Sequence, residues 1–185
     1  ITYAESFSFY GKVIRGIEEP KPRWKRVTEQ TNTSLGELIG QVYVDEYLPK
    51  GTKEKLQEIG TAIREVYAER IKTLDWMSSV TKEKALKKLN GMVMKVGYPD
   101  KWKDLSTLKV NRNSYVHNVM NANVWEFQYM VNKYGKPVDR TEWSMYPQTY
   151  NAYYNPSNNE IVVPGCNIIV PGYERKLADD AILYY

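Results

Sequence analysis

The stretch NAYYNPSNNEIVVPG, Asn151 to Gly165, decides how the chain is read. Tyr150, Ala152 and Tyr154 alternate with Asn151 and Tyr153, which is the period-two pattern of a strand. Asn155-Pro156-Ser157-Asn158 is turn chemistry, because Asn and Ser side chains bond their own backbone and Pro presets φ. Ile161, Val162 and Val163 form a β-branched return strand, stopped by Pro164-Gly165. The pattern predicts one hairpin. Nothing before residue 140 reads this way, and the earlier chain reads as helix. The predicted fold class is mainly α: a helical scaffold over 1–140, followed by a short C-terminal β-hairpin within 141–185.

Working outward, residues 1–33 carry mixed signals. Ser34 and Glu37 have capping-box spacing, and Leu35, Leu38, Ile39, Val42 and Tyr43 follow at helical intervals. This helix is predicted to end near Leu48, before Pro49 and Gly51. Thr52 can cap a second helix with Leu56, Ile59, Ile63, Val66, Tyr67, Ile71 and Leu74 on one stripe, reaching Trp76 or Met77. Trp76 is expected in its core. Thr81 starts a third, with Ala85, Leu86, Leu89 and Met92 inward, broken by GYPDKW (Gly97 to Trp102). A fourth spans about Asn113 to Tyr134, with Val116, Val119, Met120, Val124, Phe127 and Val131 apolar. Gly135 is placed as its left-handed cap, with Pro137 after it.

Composition narrows the function classes. The 185 residues are 42% hydrophobic, enough for a core, and the net charge is +4. That excess is small for a nucleic-acid binder. The one dense basic patch, Lys21, Arg23, Lys25 and Arg26, surrounds Trp24 and reads as a solvated loop with a packed Trp. Cys166 is the single cysteine, so no internal disulfide can form. No apolar run approaches the ~18 residues of a membrane span. The chain opens at Ile1 without an initiator Met or signal peptide, so its ends are expected to be cuts. Sixteen tyrosines and five tryptophans suit either a core and its rim or a cleft for peptide or sugar.

No catalytic set is visible. His117 is the single histidine and reads as a helix-surface or packed residue. A zinc site needs several converging His, Cys or carboxylate ligands, and the supply of His and Cys is one each. A nucleophile pair of Cys166 and His117 has no local signature. Glu18-Glu19 and Asp179-Asp180 read as solvated charge.

Four segments in order carry a resemblance: LDWMSSVTKEKALKKLNGM (Leu74 to Met92), KVGYPDKW (Lys95 to Trp102), GKPVDRTEW (Gly135 to Trp143) and NAYYNPSNNEIVVP (Asn151 to Pro164). Together they resemble the neprilysin family of zinc metallopeptidases, which includes the endothelin-converting enzymes and bacterial oligopeptidases O, over roughly Trp24 to Tyr185. The resemblance implies a zinc-dependent endopeptidase of oligopeptides as the parent, with the hairpin beginning its catalytic α+β sheet. It implies that the HExxH helix and a further zinc-binding Glu follow this segment, so the parent carries zinc and this chain holds no catalytic or metal residue. The partners implied are oligopeptide substrates and the remaining catalytic segment, with no nucleic acid. A bacterial member, in periplasm or at the cell surface rather than in cytoplasm, is the expectation.

The resemblance also assigns two positions. Asn151 and Ala152 match the family's Asn-Ala, whose Asn side chain and Ala carbonyl hold the substrate as an added edge strand. The chemistry suits this, since an extended peptide brings unpaired N–H and C=O groups to an open sheet edge and Asn offers both donor and acceptor. On the residues alone, an ordinary hairpin strand stays open. The family continues Phe-Pro-Ala-Gly-Ile-Leu-Gln-Pro-Pro where this chain has Val163-Pro164-Gly165-Cys166-Asn167-Ile168-Ile169-Val170-Pro171-Gly172, so the pocket after the hairpin is rewritten. The rival reading is a non-catalytic helical module binding peptide or glycan. An HExxH within about 20 residues after Tyr185 separates the two.

Overall fold

The computed structural model describes residues 3–184; residues 1, 2 and 185, which fall within the predicted regions 1–140 and 141–185, lie outside the described residues. In order, the elements are α1 (Tyr3–Ser6), a π-helical stretch (Phe7–Ile14), α2 (Arg23–Tyr47), α3 (Thr52–Thr73), α4 (Ser79–Asn90), β1 (Val93–Gly97), α5 (Tyr115–Val131), β2 (Tyr153–Asn155), β3 (Glu160–Pro164), a 3-10 turn (Gly165–Ile168) and α6 (Asp180–Leu183). The fold is mainly helical with a small sheet, as the sequence predicts. The chain divides after Gly36 into two compact units.

In the first unit, the ring of Tyr3 stacks on Phe7, and the Arg26 guanidinium sits 3.9 Å over the Tyr3 ring. Residues 23–33 are helical, not mixed. Thr28, Thr31 and Thr33 donate their hydroxyls to the carbonyls of Trp24, Val27 and Glu29, four residues back. Such back-bonding lets polar side chains sit inside a helix. Trp24 is 65% exposed with Lys25 over its ring, so it is not the packed Trp expected. The helix is interrupted at Leu35 (φ −132°, ψ 24°), one residue after the predicted start at Ser34. The capping box does not form. Ser34 Oγ accepts from Gln30 Nε2, and Glu37 Oε1 accepts the N–H of Lys103.

In the second unit, α3 begins at Thr52, but Thr52 is not its cap. Gly51 precedes it at φ +82°, and the buried Thr52 hydroxyl donates to Pro49 O at 2.7 Å. The helix stops at Thr73 instead of Trp76 or Met77, because Leu74 turns extended. Ser78 then caps α4 by accepting the N–H of Thr81, so that helix starts two residues earlier than Thr81. Trp76 falls in the link and is 74% exposed, which removes it from the core. α5 forms where predicted, capped by Ser114, but it ends at Val131 with Asn132 as a right-handed cap, so Gly135, although at φ +73°, is not its cap.

The sheet has the order β1-β3-β2. β2 and β3 are the predicted hairpin, pairing Tyr153 with Val162 and Asn155 with Glu160. β1 falls where the sequence predicts a helix end and a loop. It pairs in parallel with β3, Val93 to Glu160 through Gly97 to Pro164, so the sheet takes strands from both sides of residue 140. Along β3, Glu160, Val162 and Pro164 are buried. Met94 and Val96 point to the opposite face from these, and α3 covers that side. A Cβ on Gly60 of α3 would stand 2.1 Å from Met94 Sδ, so a larger residue there would require the Met94 side chain to shift.

The apolar stripes of α3 and α5 are less buried than their spacing predicts. Ile63, Val66 and Tyr67 on α3, and Val116, Met120, Val124 and Phe127 on α5, are all exposed. Burial is concentrated on β3, where Val162 is 0% exposed. Val162→Ala removes about 1.6 kcal/mol of transfer energy and opens a cavity, so a loss of ~2–3 kcal/mol is expected. Trp76→Ala should cost under ~0.5–1 kcal/mol, as exposed substitutions do. Urea unfolding of both variants checks this order.

Candidate functional site

β3 lies between its two neighbours, so β2 has a strand on one side and none on the other among the described residues. Asn151 and Ala152, both exposed, lead into this open edge. The structure brings them together through a local bond, Ala152 N–H to Asn151 Oδ1 at 2.8 Å. The Asn151 N–H donates to Thr149 O, and its carbonyl accepts from Asn167 Nδ2 at 2.7 Å. Asn151 Nδ2 and the Ala152 carbonyl remain as a donor and an acceptor on exposed residues. Tyr150 beside them is 79% exposed and Tyr154 is 42% exposed. Nothing in the sequence singles out Asn167. An amide within a rewritten segment carries no local signal of its partner sixteen residues away.

The face of the sheet away from α3 is polar at its centre. Lys95 Nζ lies 2.7 Å from Glu160 Oε2, with both side chains under 10% exposed, and donates to the carbonyl of Glu142 at 2.8 Å. The N–H of Ser144 donates to Tyr153 Oη. Residues 142–144 are thereby tied directly to β1 and β2, and through Lys95 to β3. The Glu142 carboxylate accepts from the Tyr129 hydroxyl and from Lys133 Nζ. The Tyr129 ring stacks on Trp125 and lies under the Nζ atoms of Lys103 and Lys133. Burial, and then the Glu142 carboxylate, push the Tyr129 phenol up. Burial alone would raise the Glu142 carboxyl; the hydrogen bonds from Lys133 and Tyr129 outweigh it and hold that carboxyl below its ordinary value. A cleft of about 250 Å³ opens beside Trp102, Tyr129 and Trp143.

The described residues of this arrangement present an open strand edge and bring together no proton-transfer or nucleophilic set. His117 is exposed on α5. Cys166 is half-buried against the Tyr43 hydroxyl. Among the described residues, no group of three or more His, Cys, Asp or Glu could hold a metal ion. No helix of the described residues is long and apolar enough to cross a membrane.

Residues 2–99 match the family model of Peptidase family M13. The chain is 30% identical to rat (Rattus norvegicus) endothelin-converting enzyme-like 1 over 88% of its own length and 22% of that protein's. It is 29% identical to neutral endopeptidase of Lactococcus lactis, over 90% of this chain and 27% of that one. The structure of Mycobacterium tuberculosis zinc metalloprotease ZMP1 with an inhibitor superposes with a TM-score of 0.84 at 39% identity, covering 96% of this chain and 26% of that one. The chain thus spans about a quarter of the length of these relatives.

The depressed Glu142 carboxyl makes folding pH-dependent. Its contribution to stability is complete above the unfolded value of about 4.3 and is lost as pH falls through its lower folded value. Stability should therefore decline on acidification below about pH 4.5. Glu142→Gln should flatten that decline, as read from urea midpoints between pH 3 and 7.

Proposed function

Since this chain belongs to Peptidase family M13, we propose that it supplies the helical scaffold and the substrate-holding edge of a zinc-dependent endopeptidase acting on oligopeptides. The observation that carries this reading is the open edge of β2 beside exposed Asn151 and Ala152. A peptide laid along that edge gains main-chain hydrogen bonds as an added strand. Asn151 Nδ2 donates to one of its carbonyls, and the Ala152 carbonyl accepts one of its N–H groups. A methyl side chain at 152 lets the two backbones approach. Residues 1–140 serve as scaffold, and 141–185 begin the catalytic part.

The relatives' names support the reaction class, since one is an endopeptidase and another a zinc metalloprotease. Zinc belongs to the parent and is held by residues outside this chain, on an HExxH helix that follows it. The parent's partners are oligopeptides and that remaining catalytic segment. We assign it to the bacterial periplasm or cell surface rather than the cytoplasm.

Two measurements test this. Asn151→Ala in the full-length enzyme should lower kcat/KM about tenfold, since one hydrogen bond in a desolvated cleft is worth ~0.5–1.5 kcal/mol and more when a partner is stranded. Its melting temperature should stay close to wild type, because no buried apolar volume is lost. The 185-residue chain alone should bind no stoichiometric zinc in equilibrium dialysis and should not cleave a fluorogenic peptide. Unchanged kcat/KM in the variant would make the hairpin merely structural.

A further inference from the structure

We infer that Asn167 is the positioning residue that sets the Asn151–Ala152 segment for an extended peptide; this rests on reading that edge as substrate-holding. The antiparallel register pairs Tyr153 with Val162. Carried on by two residues, it sets Asn151 opposite Pro164. Proline has no N–H, so the ladder cannot close at that position. Asn167 closes it from outside the strand. Its Nδ2 donates to Asn151 O at 2.7 Å and to Pro164 O at 2.9 Å, which uses both hydrogens of the amide nitrogen.

The amide is delivered from a seated platform. Asn167 is half-buried in the 3-10 turn, between buried Gly165 and Ile168. A Cβ on Gly165 would stand 2.9 Å from Leu48 Cδ1 and 3.1 Å from Gly97 O, so the turn packs against the α2–α3 corner and the end of β1. The N–H of Cys166 donates to Pro147 O at 2.9 Å. With this anchor, the Asn151 carbonyl is turned toward β3. Backbone groups of successive residues in an extended chain face opposite sides, so the Ala152 carbonyl is turned to the open side. Without the Asn167 donor, ladder order would end at Tyr153. The two residues that meet the peptide would then have no fixed register.

The test uses the full-length enzyme. Asn167→Asp keeps the shape and removes both donors at neutral pH, and Asn167→Ala removes the group. Each should raise KM for an internally quenched oligopeptide about five- to tenfold with kcat within about twofold, because the edge hydrogen bonds that weaken serve ground state and transition state alike. Melting temperatures should shift by less than a few degrees. Relative to wild type, Asn167→Asp should recover only as pH is lowered to about 4 and below, where its carboxyl regains an O–H donor, while Asn167→Ala should not. A merely structural role would leave KM unchanged, lowering only Tm or the fraction of active enzyme, and either result overturns the inference. Asn151→Ala run in parallel separates the two levels. If it lowers kcat/KM while the Asn167 variants do not, only the positioning role falls. If none of them does, the edge reading falls with it.

Discussion

The sheet of the second unit is organised around β3. It is the strand with a partner on both sides, parallel β1 and antiparallel β2. Its central residue, Val162, is fully buried. The pairing with β1 joins residues more than sixty positions apart and needs a long connection, which here contains α5 and β2. Once β1 and β3 are paired, α3 has a face to cover, and residues 142–144 have polar groups to meet on the other side.

The Lys95–Glu160 pair lies on that second face. Two buried charges lose hydration that their attraction only partly returns. What the pair contributes is direction. Lys95 also holds the Glu142 carbonyl, and Glu142 holds Tyr129 and Lys133. One buried cation thus ties β1, β3, the loop after α5 and α5 itself into one arrangement. Removing one partner would leave the other charge buried without its counter-charge, which is why such pairs are costly to break singly even when they add little net stability.

The outer edge works on a different principle. β2 is three residues long and open on one side. Open edges invite pairing with another chain, and short ones limit it. Here the invitation is confined to a few groups, with the Asn151 carbonyl already engaged by Asn167 and the Ala152 N–H engaged by the Asn151 side chain. On the function proposed above, the partner is an extended backbone that brings an acceptor to Asn151 Nδ2 and a donor to the Ala152 carbonyl.

Elements whose signals are local were legible in the sequence. α3, α4 and α5 were legible from apolar spacing, and the hairpin from alternation flanking Asn155-Pro156. The family resemblance was carried by four ordered segments. Local pattern misled where a partner decides the outcome. Val116, Val124 and Phe127 keep a core-like period yet are exposed, because periodicity states which face is apolar but not whether anything covers it. Trp76 falls outside its helix because Ser78 caps the next one. The tertiary structure alone decided β1, the buried ion pair and the role of Asn167. Lys95 in a strand interior reads as solvated until Glu160 is placed beside it. The Asn167 amide reads as loop chemistry until Pro164, lacking an N–H, leaves the Asn151 carbonyl to be met. In both cases the physical cause is a partner distant in sequence, and no window of neighbouring residues contains it.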